Sequence, residues 1–250
     1  MLKIQLAIFC LILSLSSAYA ALPETIAKVK PSIVAIGTYN KLRTPKAVIL
    51  GTGFVIANGS YVATNAHVLP KSFNTKESEV LMAFQQQGSK VNSYPVEVIT
   101  KNAVTDLALL RLTSNKLPPL KTSTAKVREG ELYAFTGFPI GAILGLSPVT
   151  HRGIVSSITP IAIPARNGKE LSLAQLKQLR NPYKIYQLDA TAYPGNSGSP
   201  LYNPNTGDVI AIINKVFVKA SEESALTDPS AITYAIPVKH LQKLINVHIK

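Results

Sequence analysis

Three side chains in this 250-residue chain have the types needed to break a carbonyl–nitrogen bond. Ser197 lies in Gly195-Asn196-Ser197-Gly198-Ser199-Pro200, with glycine on both sides. Glycines there permit a tight, irregular backbone that other residues resist. Such a loop can aim the N–H groups of Gly195 and Ser197, with Asn196 as a further candidate, at one point and hold an oxyanion. A serine hydroxyl is a weak nucleophile until a base near neutrality takes its proton, and histidine supplies one unaided. His67 ends Tyr61-Val-Ala-Thr-Asn-Ala-His67, an apolar run after a turn. Asp106 opens the apolar run Asp106-Leu-Ala-Leu-Leu-Arg-Leu, 39 residues further on. A carboxylate bonded to imidazole Nδ1–H fixes the tautomer and stabilises the imidazolium formed during proton transfer. Each residue alone also has an ordinary structural reading: a strand-end histidine, a strand-start aspartate, a Gly-Asn hairpin turn. The ordered set gives the expectation of acyl transfer.

The elements that must position these groups are short. Apolar or alternating runs occupy 32–39, 47–56, 61–63, 79–84, 94–99, 107–112 and 131–136, then 149–158, 184–188, 209–218 and 233–236. Turn signals such as Asn58-Gly59, Pro118-Pro119 and Asn205-Thr206-Gly207 separate them. Many short strands with turns between predict an all-β barrel or sandwich. Three stretches read as helix. They are a lead-in at 21–30, a segment at 171–179 inside an insertion at 166–183, and a tail at about 238–247 with Leu241, Leu244 and Ile245 on one face.

Residues 1–20 are of another kind. Lys3, an apolar run from Ile4 to Leu15 and Ala18-Tyr19-Ala20 form a signal peptide cut after Ala20, leaving a mature domain over 21–250. About a dozen apolar residues are too few to span a bilayer, which takes roughly 20. The expected product is therefore periplasmic or secreted, with no stable membrane insertion; the alternative is an uncleaved N-terminal anchor. Cys10 is the only cysteine, so the mature chain has no disulfide to rely on.

The composition is 46 % hydrophobic and 16 % charged, enough apolar matter for a core. The formal charge of +13 is spread along the chain, without a basic run or nucleic-acid motif. A solvated basic surface is the plain reading, and attraction to an anionic envelope or acidic substrates the other. No metal or cofactor is expected, because His67, His151, His240 and His248 lack ligand spacing and no glycine-rich phosphate loop is present.

His, Asp, Ser is the chain order of the chymotrypsin-type triad. The segments around it resemble the HtrA/Deg-like branch of chymotrypsin-fold proteases. They are Gly51-Thr-Gly-Phe, Thr64-Asn-Ala-His67-Val, Asp106-Leu-Ala-Leu-Leu, Gly137-Phe-Pro-Ile-Gly141, Arg152-Gly-Ile-Val-Ser, Gly195-Asn-Ser-Gly and Tyr234-Ala-Ile-Pro, in family order from about 31 to 245. The resemblance implies two six-stranded antiparallel β-barrels, the first over about 31–120 and the second over about 128–237, followed by a short C-terminal helix. It implies an endopeptidase acting on protein or peptide substrates, with His67 and Asp106 on the first barrel and Ser197 on the second. It also implies a homo-oligomer, although residues 21–31 carry no pattern that specifies one. A catalytically silent, protease-fold binding protein of the envelope is the rival reading.

The chain departs from the family in two places. The family's usual PDZ domain has no counterpart before Lys250, and Ser199 stands where the family has a second glycine. Gly-Asn-Ser-Gly-Ser-Pro is similar to the glutamyl endopeptidases of the same fold, but Ile212-Ile213-Asn214 lacks their substrate-reading histidine. Asn196 also replaces the aspartate of trypsin-like zymogens, so activation through an N-terminal ion pair is not expected. By the same resemblance the substrate pocket is drawn from Thr191, Ala192, Tyr193, Ile212, Ile213 and Asn214. With no carboxylate among them, cleavage after small or medium aliphatic residues is expected.

Overall fold

The computed structural model describes residues 21–70, 79–140, 146–161, 180–216 and 232–249. The predicted signal peptide and the helical stretch at 171–179 lie outside them. Helix α1 (Ala21–Val29) and a 3-10 turn (Lys30–Ser32) lead into twelve strands. The first six are β1 (Ile33–Tyr39), β2 (Ala47–Ile56), β3 (Tyr61–Asn65), β4 (Val80–Gln87), β5 (Lys90–Asn102) and β6 (Leu107–Leu112). They close into an antiparallel barrel in the order β1-β2-β3-β6-β5-β4. The second six are β7 (Leu132–Gly137), β8 (Val149–Pro160), β9 (Lys184–Asp189), β10 (Pro200–Tyr202), β11 (Val209–Val216) and β12 (Ile232–Pro237), closing as β10-β11-β12-β9-β8-β7. Helix α2 (Val238–His248) ends the chain. The expected architecture of two six-stranded barrels and a C-terminal helix is the one found.

Side chains alternate across a strand, and here both faces of the central strands are covered. Val34 and Ile36 of β1 join Val55, Val62, Leu81, Val96, Ala108 and Leu110 in a cluster drawn from all six strands of the first barrel. Ile33 and Ala35 point the other way, into a cluster shared with Ala134, Tyr202, Ile212 and Ile236 of the second barrel. The same split divides Val55 from Phe54 and Ala108 from Leu109. Two-sided burial explains why these strands read as continuous apolar runs rather than as alternating ones. Leu241 of α2 is fully buried in the shared cluster, with Leu244 and Ile245 packed against it, as the tail's spacing predicts.

The inter-barrel seam positions everything that follows. Strand β2 supplies Thr52 to it, the end of β7 supplies Gly137 and Phe138, and the loop between β9 and β10 carries Ser197.

Candidate active site

His67 sits in a 3-10 turn (Ala66–Val68) at the end of β3. Asp106 occupies the last position before β6, and its φ of 52° places a non-glycine residue in the left-handed region. The preceding turn is capped by Asn102, whose Oδ1 accepts the N–H groups of Val104 and Thr105 at 3.0 Å each. In this conformation both ends of Asp106 reach the histidine turn. Its Oδ2 lies 2.5 Å from His67 Nδ1, and its Oδ1 accepts the His67 backbone N–H at 2.9 Å. Its carbonyl accepts from Ala66 N–H at 3.1 Å and from Asn65 Nδ2 at 3.0 Å. The carboxylate is mostly shielded, with 17 % of its side chain exposed, while 37 % of the His67 side chain is open to solvent. An ionised carboxylate only accepts, so Nδ1 carries its hydrogen and Nε2 presents a lone pair.

The serine loop is held on the other side of the seam. Gly195 and Gly198 have φ of 96° and 89°. A Cβ at Gly195 would collide with the carbonyl oxygen of Phe138, and one at Gly198 with that of Thr52. Both glycines are thus required by conformation and by close approach. Four consecutive carbonyls are engaged. Pro194 O accepts from Ile140 N–H (2.7 Å), Gly195 O from Thr52 Oγ1 (2.7 Å), Asn196 O from Ser199 N–H (3.0 Å) and Ser197 O from Thr52 N–H (2.8 Å). Of the N–H groups, Asn196 donates to Tyr193 O (3.0 Å) and Gly198 to Ile213 O (2.9 Å). Those of Gly195 and Ser197 have no acceptor among the described residues. The two halves converge at Gly51, where a Cβ would lie 2.7 Å from Val68 Cγ2 and 3.0 Å from Ser197 O. The Ser197 hydroxyl donates to Asn214 O at 2.7 Å, so its hydrogen is committed there rather than to His67.

A model of the trypsin-like peptidase domain matches residues 51–212, a stretch that holds His67, Asp106 and the serine loop at 195–198. The chain belongs to the trypsin-like peptidase family. Within it the relatives are HtrA-type. The chain is 30 % identical over 93 % of its length to serine protease HTRA1A of Danio rerio, covering 42 % of that protein. It is 28 % identical over 80 % of its length to a probable periplasmic serine endoprotease, DegP-like, of Pseudomonas putida, covering 36 % of it. The chain thus spans about two-fifths of the length of these curated relatives. Among solved structures, the HtrA-type protease AlgW with a tripeptide superposes with a TM-score of 0.65 at 21 % identity, over 92 % of this chain and 64 % of that one.

The structure gives different surroundings to the sequence-predicted trypsin-like site residues. His67 and Asp106 are in contact, and Gly195 and Ser197 share one loop with unspent N–H groups. Asn196 is fully buried, its N–H is taken by Tyr193 O and its Oδ1 lies against Gly137. Ala192, Ile212 and Ile213 are at most 1 % exposed and belong to the cores, so their side chains do not form an open pocket wall. The physical reason is that both faces of β11 are covered, so Ile212 enters the shared cluster and Ile213 the second barrel. Thr191 and Tyr193 remain partly exposed, and Asn214 offers its backbone carbonyl to Ser197. Sequence reasoning gave no role to Thr52, although a threonine between two strand glycines signals close backbone approach.

Proposed function

We propose that this chain is a serine endopeptidase that cleaves protein substrates through Ser197, His67 and Asp106. The two-point hold of Asp106 on His67 carries the reading, since it leaves Nε2 a free lone pair, and the serine loop with its two unspent N–H groups meets the neighbouring Val68 at Gly51. When substrate enters, the Ser197 hydroxyl turns from Asn214 O to Nε2. Oγ bonds to the scissile carbonyl carbon as Nε2 takes its proton, and the carbonyl electron pair moves onto oxygen. The N–H groups of Gly195 and Ser197 stabilise that charge, each worth on the order of 10²–10³ in rate. Collapse breaks the C–N bond, and the imidazolium protonates the leaving amine. Water, activated by the same base, then hydrolyses the ester and restores Ser197.

Thr191 and Tyr193 present no charge to a substrate side chain, which supports cleavage after small or medium aliphatic residues. A place in envelope or extracellular proteolysis rests on the signal-like residues 1–20 and on the periplasmic DegP-like relatives. Oligomer formation is part of the same reading, by analogy with HtrA-type proteases.

The test is digestion of denatured casein by the mature protein beside Ser197→Ala, with cut sites mapped by mass spectrometry. Cleavage by the wild type alone is expected, with aliphatic residues before the cuts. A folded wild type that neither cleaves casein nor reacts with a serine-directed phosphonate would overturn the assignment in favour of a binding protein.

A further inference from the structure

The four pinned carbonyls of the serine loop are not held from one place, and Thr52 holds two of them. It lies on β2, in the first barrel, and is fully buried. Its N–H donates to Ser197 O at 2.8 Å, and its Oγ1 donates to Gly195 O at 2.7 Å. The same Oγ1 accepts the N–H of Phe138 at 3.0 Å, and its carbonyl accepts from Thr64 Oγ1 at 2.6 Å. In a trans peptide the C=O and N–H point in opposite directions. Fixing Gly195 O therefore fixes the Asn196 N–H, which donates to Tyr193 O on the far side. Phe138 opens the segment whose Ile140 N–H holds Pro194 O, and that contact fixes the Gly195 N–H on the opposite side of the same peptide. Thr52 Oγ1 thus joins the 138–140 segment to the serine loop by one donated and one accepted bond. It does so from the barrel that carries His67 and Asp106.

We propose that Thr52 is a positioning residue for the oxyanion pocket, setting the Gly195 and Ser197 N–H groups in register with His67 across the seam. This rests on the serine-endopeptidase reading above. Gly195, with φ of 96°, has the backbone freedom to rotate its peptide once its carbonyl is released. A hydroxyl donates and accepts at a single atom, so it serves both the Phe138 donor and the Gly195 acceptor, and a thiol does so only weakly. Valine has the same shape and neither capacity.

The experiment compares Thr52→Val, Thr52→Cys and Thr52→Ser in the full mature chain. It uses a peptide substrate and a peptide boronate whose tetrahedral adduct places oxygen where the oxyanion forms. In Thr52→Val, kcat should fall about 10–100-fold with KM within about twofold, the range that a small misplacement of catalytic groups produces. The boronate Ki should rise by a similar factor. Thr52→Ser should recover to within about threefold, and Thr52→Cys, a weak donor, should fall between. Ki and KM do not depend on the fraction of molecules folded, so a purely structural role would lower yield and Tm while leaving both unchanged. Should the valine variant not accumulate, the cysteine variant is read against the same criteria. A wild-type Ki in Thr52→Val or Thr52→Cys, or a loss in Thr52→Ser equal to that of valine, overturns the proposal alone. Absence of Ser197-dependent turnover in the wild type overturns it together with the functional reading.

Discussion

At Gly198 a single hydrogen in place of a side chain decides whether the serine loop can exist. Its φ of 89° suits glycine, and a Cβ would enter the carbonyl of Thr52. Gly198→Ala therefore forces the loop away from β2 and moves Ser197 with it. We expect kcat to drop at least ~100-fold, since reacting groups tolerate displacements well below 1 Å. Steady-state kinetics alongside a melting curve will check this, and a variant with wild-type kcat would contradict the account. The His67–Asp106 contact and the glycine-shaped loop around Ser197 were legible in the sequence, because the three segments form an ordered set although each alone reads as ordinary structure. The partners of the Ser197 hydroxyl and of Thr52 were not. They lie 17 residues from Ser197 and 143 residues from Thr52, and a one-dimensional pattern carries no such distance.

Among the elements, helix α2 brings an acid-sensitive group into the fold. The His240 ring packs 4.7 Å from Tyr183, and its Nε2 is buried without a partner among the described residues. Burial, reinforced by Lys239 and Lys243, pushes its pKa down to about 4. Tyr183 on the facing side is itself pushed up, chiefly by burial and further by the charge of Asp106. In the unfolded chain His240 titrates near about 6.5. Below that pH the unfolded state binds a proton that the folded state refuses, so stability falls as the pH drops from about 6.5 toward about 4, and this contribution levels off beyond. His151, stacked on Phe135, is lowered by burial and acts in the same direction. Urea titrations of His240→Phe should show an acid slope shallower by roughly 1 kcal/mol per pH unit near pH 5. An unchanged slope would mean that the ring is already protonated in the folded helix.

Most strands were legible because Gly, Pro and Asn bound them, and β2 and β6 match their predicted limits. Strand β10 was missed, since three residues beginning with proline carry no periodicity. Strand β5 runs past the apolar 94–99 to Lys90–Asn102, because hydrogen bonding to β4 and β6 continues through polar, exposed residues. The burial of Ile212 and Ile213 was not legible for a related reason: an apolar side chain reads alike whether it lines a cleft or fills a core.

The whole molecule carries a formal charge of +13, and its cleft is open at His67. A field of that sign raises the local concentration of acidic segments and is screened within about 10 Å at 0.1 M salt. For peptides with acidic flanks, kcat/KM should fall severalfold between about 20 and 500 mM NaCl, while matched neutral peptides change little. Equal salt sensitivity in both would place the effect in the fold rather than in the encounter.

The seam itself has a kinetic corollary. Under the proposed mechanism base and nucleophile reside in separate barrels joined by a shared apolar cluster, so a molecule whose barrels part would lose activity at the moment its strands become digestible. Loss of activity on heating then becomes a matter of neighbours. On that mechanism intact copies are expected to consume opened ones, and the half-life of a preparation, followed by residual activity, should shorten as it is concentrated.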